Sequence, residues 1–303
     1  MKKISIITPC FNEEESILKC AEEIKKIFQT QLPQYDFEHI FCDNCSTDKT
    51  VSLLKEAAKK DRRIKIIVNS RNFGILKNTY NGVLNASGDA VILFMPVDLQ
   101  DPPELIPEFV RHWEKGYEIV YGIRAKREEG FLIRNIRKIY YKILSKLTYV
   151  NYPAGAGDFQ LIDRVVLETM KKIDDAQPFM RLMTFDCGFS SIGIPYTWRA
   201  REFGKSRNRY LHMLGQGMNG MISFSGAPLR LALISGLFFL FYSLLIETLS
   251  FFNDMNTANI PLFFIGGIQL LSIGILGEYI LAIFNQVRKK PLVVERERIN
   301  FND

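Results

Sequence analysis

The sequence is poor in the residues that build metal clusters, disulfide scaffolds and nucleic-acid readers. It holds three histidines and five cysteines in 303 residues. The cysteines, Cys10, Cys20, Cys42, Cys45 and Cys187, form an odd and scattered set, which excludes a secreted disulfide framework and points to a reducing compartment. Cys42-x-x-Cys45 has no second pair, and no histidine lies at ligand spacing from it; His39 is the nearest. A zinc site is not expected. No stacked-aromatic or helix-turn-helix signature accompanies the net charge of +6, so nucleic acid is not an expected partner. The mild basic excess suits an anionic membrane surface or phosphate-bearing substrates instead. The start, Met1-Lys2-Lys3-Ile4-Ser5-Ile6-Ile7, has too short an apolar run for a signal peptide. That predicts a cytoplasmic amino-terminal domain.

Charge is also missing from one long region. Between Ala232 and Phe284 the charged side chains are Glu247, Asp254 and Glu278 alone. Two apolar runs, Ala232–Phe252 and Ile260–Phe284, each reach the ~20 residues that cross a bilayer. Arg230 precedes the first, Arg288, Lys289 and Lys290 follow the second, and the loop between them has no Lys or Arg. The positive-inside rule then predicts two spans with both termini in the cytoplasm. Glu278 inside the second span is costly and is expected to face a partner helix, water near lipid phosphate or another subunit. The expected organisation is a cytoplasmic domain over residues 1–225, a two-helix membrane region over 226–290 and a cytoplasmic tail over 291–303. Interfacial helices are expected near 131–150, basic and aromatic, and near 210–224, rich in Met and Gly. The first of them, with Arg134, Arg137, Lys138, Lys142 and Lys146, suits anionic lipid.

The first 125 residues alternate short apolar runs with helical periodicity. Strands are predicted at Ile4–Thr8, Phe37–Cys42, Ile64–Val68, Ala90–Met95 and Glu118–Tyr121. Helices are predicted at Glu14–Phe28, Asp48–Lys60, Ile75–Asn85 and Pro103–Lys115. Such alternation predicts an α/β fold with a mostly parallel sheet, whose ligands bind past the carboxyl ends of the strands. The unusual polar residues fall at those ends: Thr8-Pro9-Cys10-Phe11-Asn12-Glu13-Glu14 after the first strand, Asp43-Asn44-Cys45-Ser46-Thr47-Asp48 after the second, Asp98-Leu99-Gln100-Asp101-Pro102-Pro103-Glu104 after the fourth. Each is a fair helix-capping turn by itself. Three acidic turns on one crevice point to a shared ligand.

These runs, in this order, resemble family 2 glycosyltransferases of the GT-A (Rossmann-like) fold, in the polyprenyl-phosphate branch of dolichyl-phosphate mannose synthases and bactoprenol glucosyltransferases. Arg71-Asn72-Phe73-Gly74 and Ser223-Phe224-Ser225 with Pro228-Leu229-Arg230 extend the resemblance over nearly the whole chain. It implies a sugar transferase that uses a nucleotide-sugar, UDP- rather than GDP-linked, and a membrane polyprenyl phosphate. Pro9, Phe11, Asn12, Glu13, Asp43 and Asn72 would hold the donor. Asp98 and Gln100 would hold Mg²⁺ or Mn²⁺ against its diphosphate, and oxygen ligands suit such ions. Arg124, Arg127, Arg134 and Lys205 would take the acceptor phosphate, and Asp98, Arg124 and Asp158 would serve catalysis. It also implies the inner (plasma) membrane as the location and allows a homotetramer. The Gly266-Gly267 and Gly274-x-x-Gly277 faces would permit close helix contact.

The pattern departs from the resembled one at two places. Pro96 stands where the first Asp of Asp-x-Asp-Leu-Gln-Asp is usual, so one metal-side carboxylate is missing; Asp101 is a candidate substitute, though the resemblance implies that it fixes the loop instead. Cys45 replaces a common glycine. The first departure leaves a second reading open, a degenerate membrane protein that binds nucleotide or lipid phosphate without turnover. A processive polysaccharide synthase fits poorly, because Gln177-Pro178-Phe179-Met180-Arg181 lacks the spacing and the Trp of the usual Gln-x-x-Arg-Trp.

Overall fold

The computed structural model describes residues 1–126, 153, 155–199, 225–253, 259–288 and 290–301. The helices expected near 131–150 and 210–224 lie outside them. Four strands alternate with helices from the start: β1 (Lys3–Cys10), α1 (Ile17–Thr30), β2 (Asp36–Asp43), α2 (Thr50–Lys60), β3 (Ile64–Asn69), α3 (Ile75–Leu84) and β4 (Ala90–Ile92). A 3₁₀ turn at Pro103–Leu105 leads into α4 (Ile106–Glu114). Then come β5 (Ile119–Lys126), β6 (Ala156–Asp163), α5 (Arg164–Ile173), α6 (Met180–Asp186) and β7 (Ser191–Thr197). Two long helices, α7 (Ala227–Asn253) and α8 (Asn259–Val287), precede β8 (Glu295–Ile299).

The eight strands form one sheet in the order β7-β5-β6-β4-β1-β2-β3-β8. The β4-β1-β2-β3 centre is parallel, as is β5-β7. β6 runs antiparallel between β4 and β5, and β8 runs antiparallel on the edge beside β3. In β1 and β2 seven of eight residues are buried, as expected for strands covered on both faces. Alternating side chains feed two cores. Ile4, Ile6, Ile92 and Phe159 meet Ile24, Phe28 and Phe109 of α1 and α4 on one face. Ile7, Ile40, Ile67 and Ile162 meet Tyr80, Val83, Val166 and Met170 of α3 and α5 on the other. α3 can lie this close because residue 82 is glycine: a Cβ there would sit 2.2 Å from Cys42 Sγ.

The sequence reading placed strands one to five and all four early helices. It missed β6 and β7, and it left the tail without structure. In the fold that tail pairs with β3 through Ile66↔Ile299 and Val68↔Glu297. Lys55 Nζ meets Glu297 Oε2 at 2.6 Å, and Asn300 Nδ2 donates to Ala58 O and Ile64 O at 2.9 and 2.8 Å. The domain is thus closed by residues that follow α8. Among the described residues, Ile265–Val287 is the stretch long and apolar enough to cross a membrane.

Candidate active site

The parallel register sets the tips of β1 and β2 side by side, with Cys10 opposite Asp43. The two loops that follow are stitched together. Asn12, in the left-handed region at φ 56, donates its N–H to Ser46 Oγ at 2.8 Å and accepts from Thr47 N at 2.7 Å on Oδ1. Glu13 N donates to Thr50 Oγ1 at 2.8 Å, and Lys49 N donates to Glu14 Oε2 at 3.0 Å. Asp48 accepts from Thr50 N, the first residue of α2, at 2.9 Å. Asp43 is fully buried. Its Oδ2 accepts from Ser46 N at 2.9 Å, and Cys10 Sγ lies 3.9 Å from Oδ1. Burial raises its pKa, and the donors around Ser46 offset part of that rise.

Asparagines carry the crevice on to β3. Asn44 Oδ1 accepts from Phe73 N at 2.9 Å, and Asn44 Nδ2 donates to Asn72 Oδ1 at 2.9 Å. Asn72 Oδ1 also accepts from Gly74 N at 2.9 Å. The amide nitrogen of Asn72 makes no hydrogen bond among the described residues, and the side chain is exposed. Two N–H donors therefore face outward at the rim. Cys45 has φ 67, a conformation that favours glycine, and its thiol turns to Ser70 O at 3.7 Å.

The acidic turn after β4 is held differently. Leu99 N bonds back to Pro96 O at 3.1 Å, closing a turn that carries Asp98 half-buried. Asp98 Oδ1 accepts from Gln100 N at 3.3 Å. Asp101 is buried, with Arg124 Nε and Nη2 at 3.2 and 2.9 Å and the Tyr196 hydroxyl donating to Oδ1. Burial opposes the Arg124 charge, but Asp101 and Tyr196 more than offset this and hold the guanidinium ionised. Arg199 N donates to Gln100 O at 3.0 Å, Gln100 Nε2 donates to Arg199 O at 3.2 Å, and Arg199 meets Glu104 at 3.3 Å. Residues after β7 thus strap the turn down.

Residues 5–171 match the family described as glycosyl transferase family 2. The chain belongs to that family. It is 35% identical over 302 residues to an uncharacterized glycosyltransferase, YkcC, of Bacillus subtilis, covering 96% of this chain and 92% of that one. It is 34% identical over 299 residues to the bactoprenol glucosyl transferase of Shigella phage SfII, covering 95% and 96%. An uncharacterized glycosyltransferase of Synechocystis, sll0501, is 32% identical over 300 residues.

In this glycosyltransferase the crevice brings together the strand-end turns that carry Phe11, Asn12, Glu13, Asp43 and Asn72 and, past β4, Asp98 and Gln100. Arg124, read in the sequence as an acceptor-phosphate and catalytic residue, directs its guanidinium to Asp101 and Tyr196. Asp101, weighed as a metal ligand, is enclosed by that pair. Asp158 on β6 is bound by Arg181 of α6, with Nε 3.1 Å from Oδ1 and Nη2 on Oδ2. Arg127, Arg134 and Lys205 lie outside the described residues. Among the described residues no three His, Cys, Asp or Glu side chains gather as a ready metal site. A divalent ion here would rest on Asp98 with oxygens brought by the diphosphate, a sharing that Mg²⁺ tolerates. Tyr196 and Arg181 were missed as site-builders, and the pairing of Arg199 with Glu104 and Gln100 was not foreseen. Their partners lie 23 to 99 positions away in sequence, and no local pattern marks them.

Proposed function

We propose that this glycosyltransferase moves a sugar from a uridine nucleotide to a membrane polyprenyl phosphate, inverting the anomeric centre. The observation that carries the reading is the 34% identity to a bactoprenol glucosyl transferase over 95% of this chain, which takes in the stretch of α7 and α8 as well as the sheet domain. Chemistry favours a phosphate acceptor. A sugar hydroxyl needs a base to take its proton. A phosphate monoester, with a second pKa near ~6, is already largely a dianion at neutral pH. The protein then has to position the nucleophile and stabilise the leaving diphosphate. Asp98, with Gln100, would hold Mg²⁺ or Mn²⁺, which offsets the leaving charge when bound. Phe11, Asn12, Glu13 and Asn72 would line the donor site.

Asp43 supports uridine over guanosine. Its carboxylate accepts from Ser46 N at 2.9 Å, with the Ser46 hydroxyl, the Cys45 N–H and the Cys10 thiol also beside it. The little acceptor capacity left suits the single N3–H of uracil better than the two adjacent N–H donors of guanine. Arg124 would act by holding Asp101, and through it the turn that carries Asp98; the acceptor phosphate falls to Arg127, Arg134 and Lys205.

The membrane placement has support from chain return. β8 pairs with β3 of the catalytic domain, so the chain must come back to the side it left. An even number of crossings satisfies that, and α7 with α8 as a two-span hairpin supplies it. Both termini would then share the cytoplasmic face.

The test is direct. Membranes holding the protein are incubated with polyprenyl phosphate, Mg²⁺ and labelled UDP- and GDP-sugars, and the lipid phase is extracted. Metal-dependent label from a UDP-sugar is expected. No label from any donor would leave the degenerate reading, which Pro96 favours, as the better one.

A further inference from the structure

A basic cluster sits where the chain returning from α8 meets the first turn of α3, at the edge of the donor crevice. Lys77 is half-buried there and makes no hydrogen bond or ion pair among the described residues. Burial pushes its ammonium below the ordinary range; Arg71 and Lys290 push it the same way, and Asp175 opposes them.

Separate elements bring these charges together. Ser70 N donates to Val294 O at 2.8 Å, and Asn81 Nδ2 donates to Glu295 Oε1 at 2.6 Å, which lays the returning segment along α3. Gln286, at the end of α8, donates to Asp174 O at 2.7 Å and accepts from Ala176 N at 2.9 Å. The end of the candidate span, Asp175 and Lys77 thus share one corner of the molecule. Ile75 and Val294 are 44% and 49% exposed beside these cations.

Three cations facing one carboxylate, Asp175, leave this corner with a net positive charge that a further anion would offset. Exposed aliphatic side chains next to cations, at the foot of an apolar helix, match the headgroup level of a bilayer better than open water. We propose that Arg71, Lys77 and Lys290 bind the headgroup phosphate of an anionic phospholipid, at a site separate from those for donor and acceptor. This rests on the membrane placement proposed above.

The test uses the full chain in phosphatidylcholine nanodiscs carrying photoactivatable phosphatidylglycerol, with labelled peptides mapped by mass spectrometry. Label is expected on residues 71–77 or 288–294. It should fall about twenty-five-fold in Lys77→Gln/Lys290→Gln, from about fivefold per lysine near a lipid surface, and about fivefold in the single exposed variant Arg71→Gln. Equal labelling of parent and variants overturns the site. So does equal labelling by a phosphatidylcholine probe, whose phosphate is neutralised by its choline. Loss of label on adding inorganic phosphate assigns the cluster to a soluble anion, and loss on adding an equimolar amount of polyprenyl phosphate assigns it to the acceptor; either result overturns the proposal. Sugar transfer assayed in the same discs separates the two readings: selective labelling without transfer supports this site and sinks the transfer reading alone.

Discussion

The donor-side loops and the Asp98 turn occupy the same edge of the sheet but are built in opposite ways. After β1 and β2, backbone N–H groups meet short side chains of the neighbouring loop, as with Asn12 and Ser46, Thr47 and Asn12, Glu13 and Thr50. Neutral, short-range hydrogen bonds of this kind contribute about 1 kcal/mol each. The Asp98 turn hangs instead on a buried charge pair, Asp101 with Arg124, and on a strap from beyond β7. The first arrangement shares its stability among many small contacts; the second concentrates it in a few. Damage should therefore be graded on the donor side and steep on the metal side.

The largest effect is expected at Asp98 itself. If Asp98 holds the ion as proposed, Asp98→Ala would leave it to Gln100 and the diphosphate, since Pro96 stands in place of a second carboxylate. Transfer should fall by about a thousandfold or more, measured as labelled lipid per unit time at saturating Mg²⁺. Activity within tenfold of the parent would show that the metal is held elsewhere. Next comes Arg124→Ala. It strands Asp101, 1% exposed, without its counter-charge, and removing one partner of a buried pair costs about 3–5 kcal/mol. Thermal unfolding in detergent should register the loss, and Arg124→Lys should restore little of it, because a lysine cannot reproduce the two-pronged contact. A stable, inactive Arg124→Ala would instead return this residue to the acceptor.

The same contrast explains what was legible in the sequence. Thr8–Glu14 and Asp43–Thr50 are contiguous, and their partners sit in one another's loops, so motif and structure coincide. The Asp98 turn was also found, but its supports were not. Arg124, Tyr196 and Arg199 reach it only because β6 inserts antiparallel between β4 and β5 and β7 then pairs with β5. Strand orientation leaves no mark in a local run such as Ala156–Asp163. β8 was hidden for a different reason. Glu-Arg-Glu-Arg-Ile has no apolar stretch, since an edge strand keeps charges outward. Its pairing depends on β3 and not on its own composition.

A third change tests whether the metal side is weak by sequence or sufficient as built. Pro96 O accepts from Leu99 N, a bond the backbone of any residue at 96 can make. Pro96→Asp should thus preserve the turn while adding a carboxylate near Asp98. The Mg²⁺ concentration for half-maximal transfer should drop on the order of tenfold, as ligand charge count tunes such sites. No change in Mg²⁺ dependence would mean that position 96 faces away from the ion, and that this chain has lost nothing by the replacement.

The smallest expected effect falls on the donor side, at Cys45, which with Asn12 is one of two residues there held in the left-handed region. Cys45 adopts φ 67 with a side chain attached, and a left-handed residue other than glycine costs about 1–2 kcal/mol. Part of that is offset by the thiol contact to Ser70 O at 3.7 Å, which is long for a weak donor. Cys45→Gly also gives the unfolded chain more freedom, which subtracts a few tenths of a kcal/mol up to about 1 kcal/mol from the gain. The net should be a stabilisation of under about 1 kcal/mol, a rise of a degree or two in melting temperature for a domain of this size. Donor affinity, followed by the Michaelis constant for the nucleotide-sugar, should move less than threefold if the loops share their load as the hydrogen bonds indicate. A large loss of affinity would mean that the Cys45 side chain itself shapes the base pocket, and that the donor side too depends on a single residue.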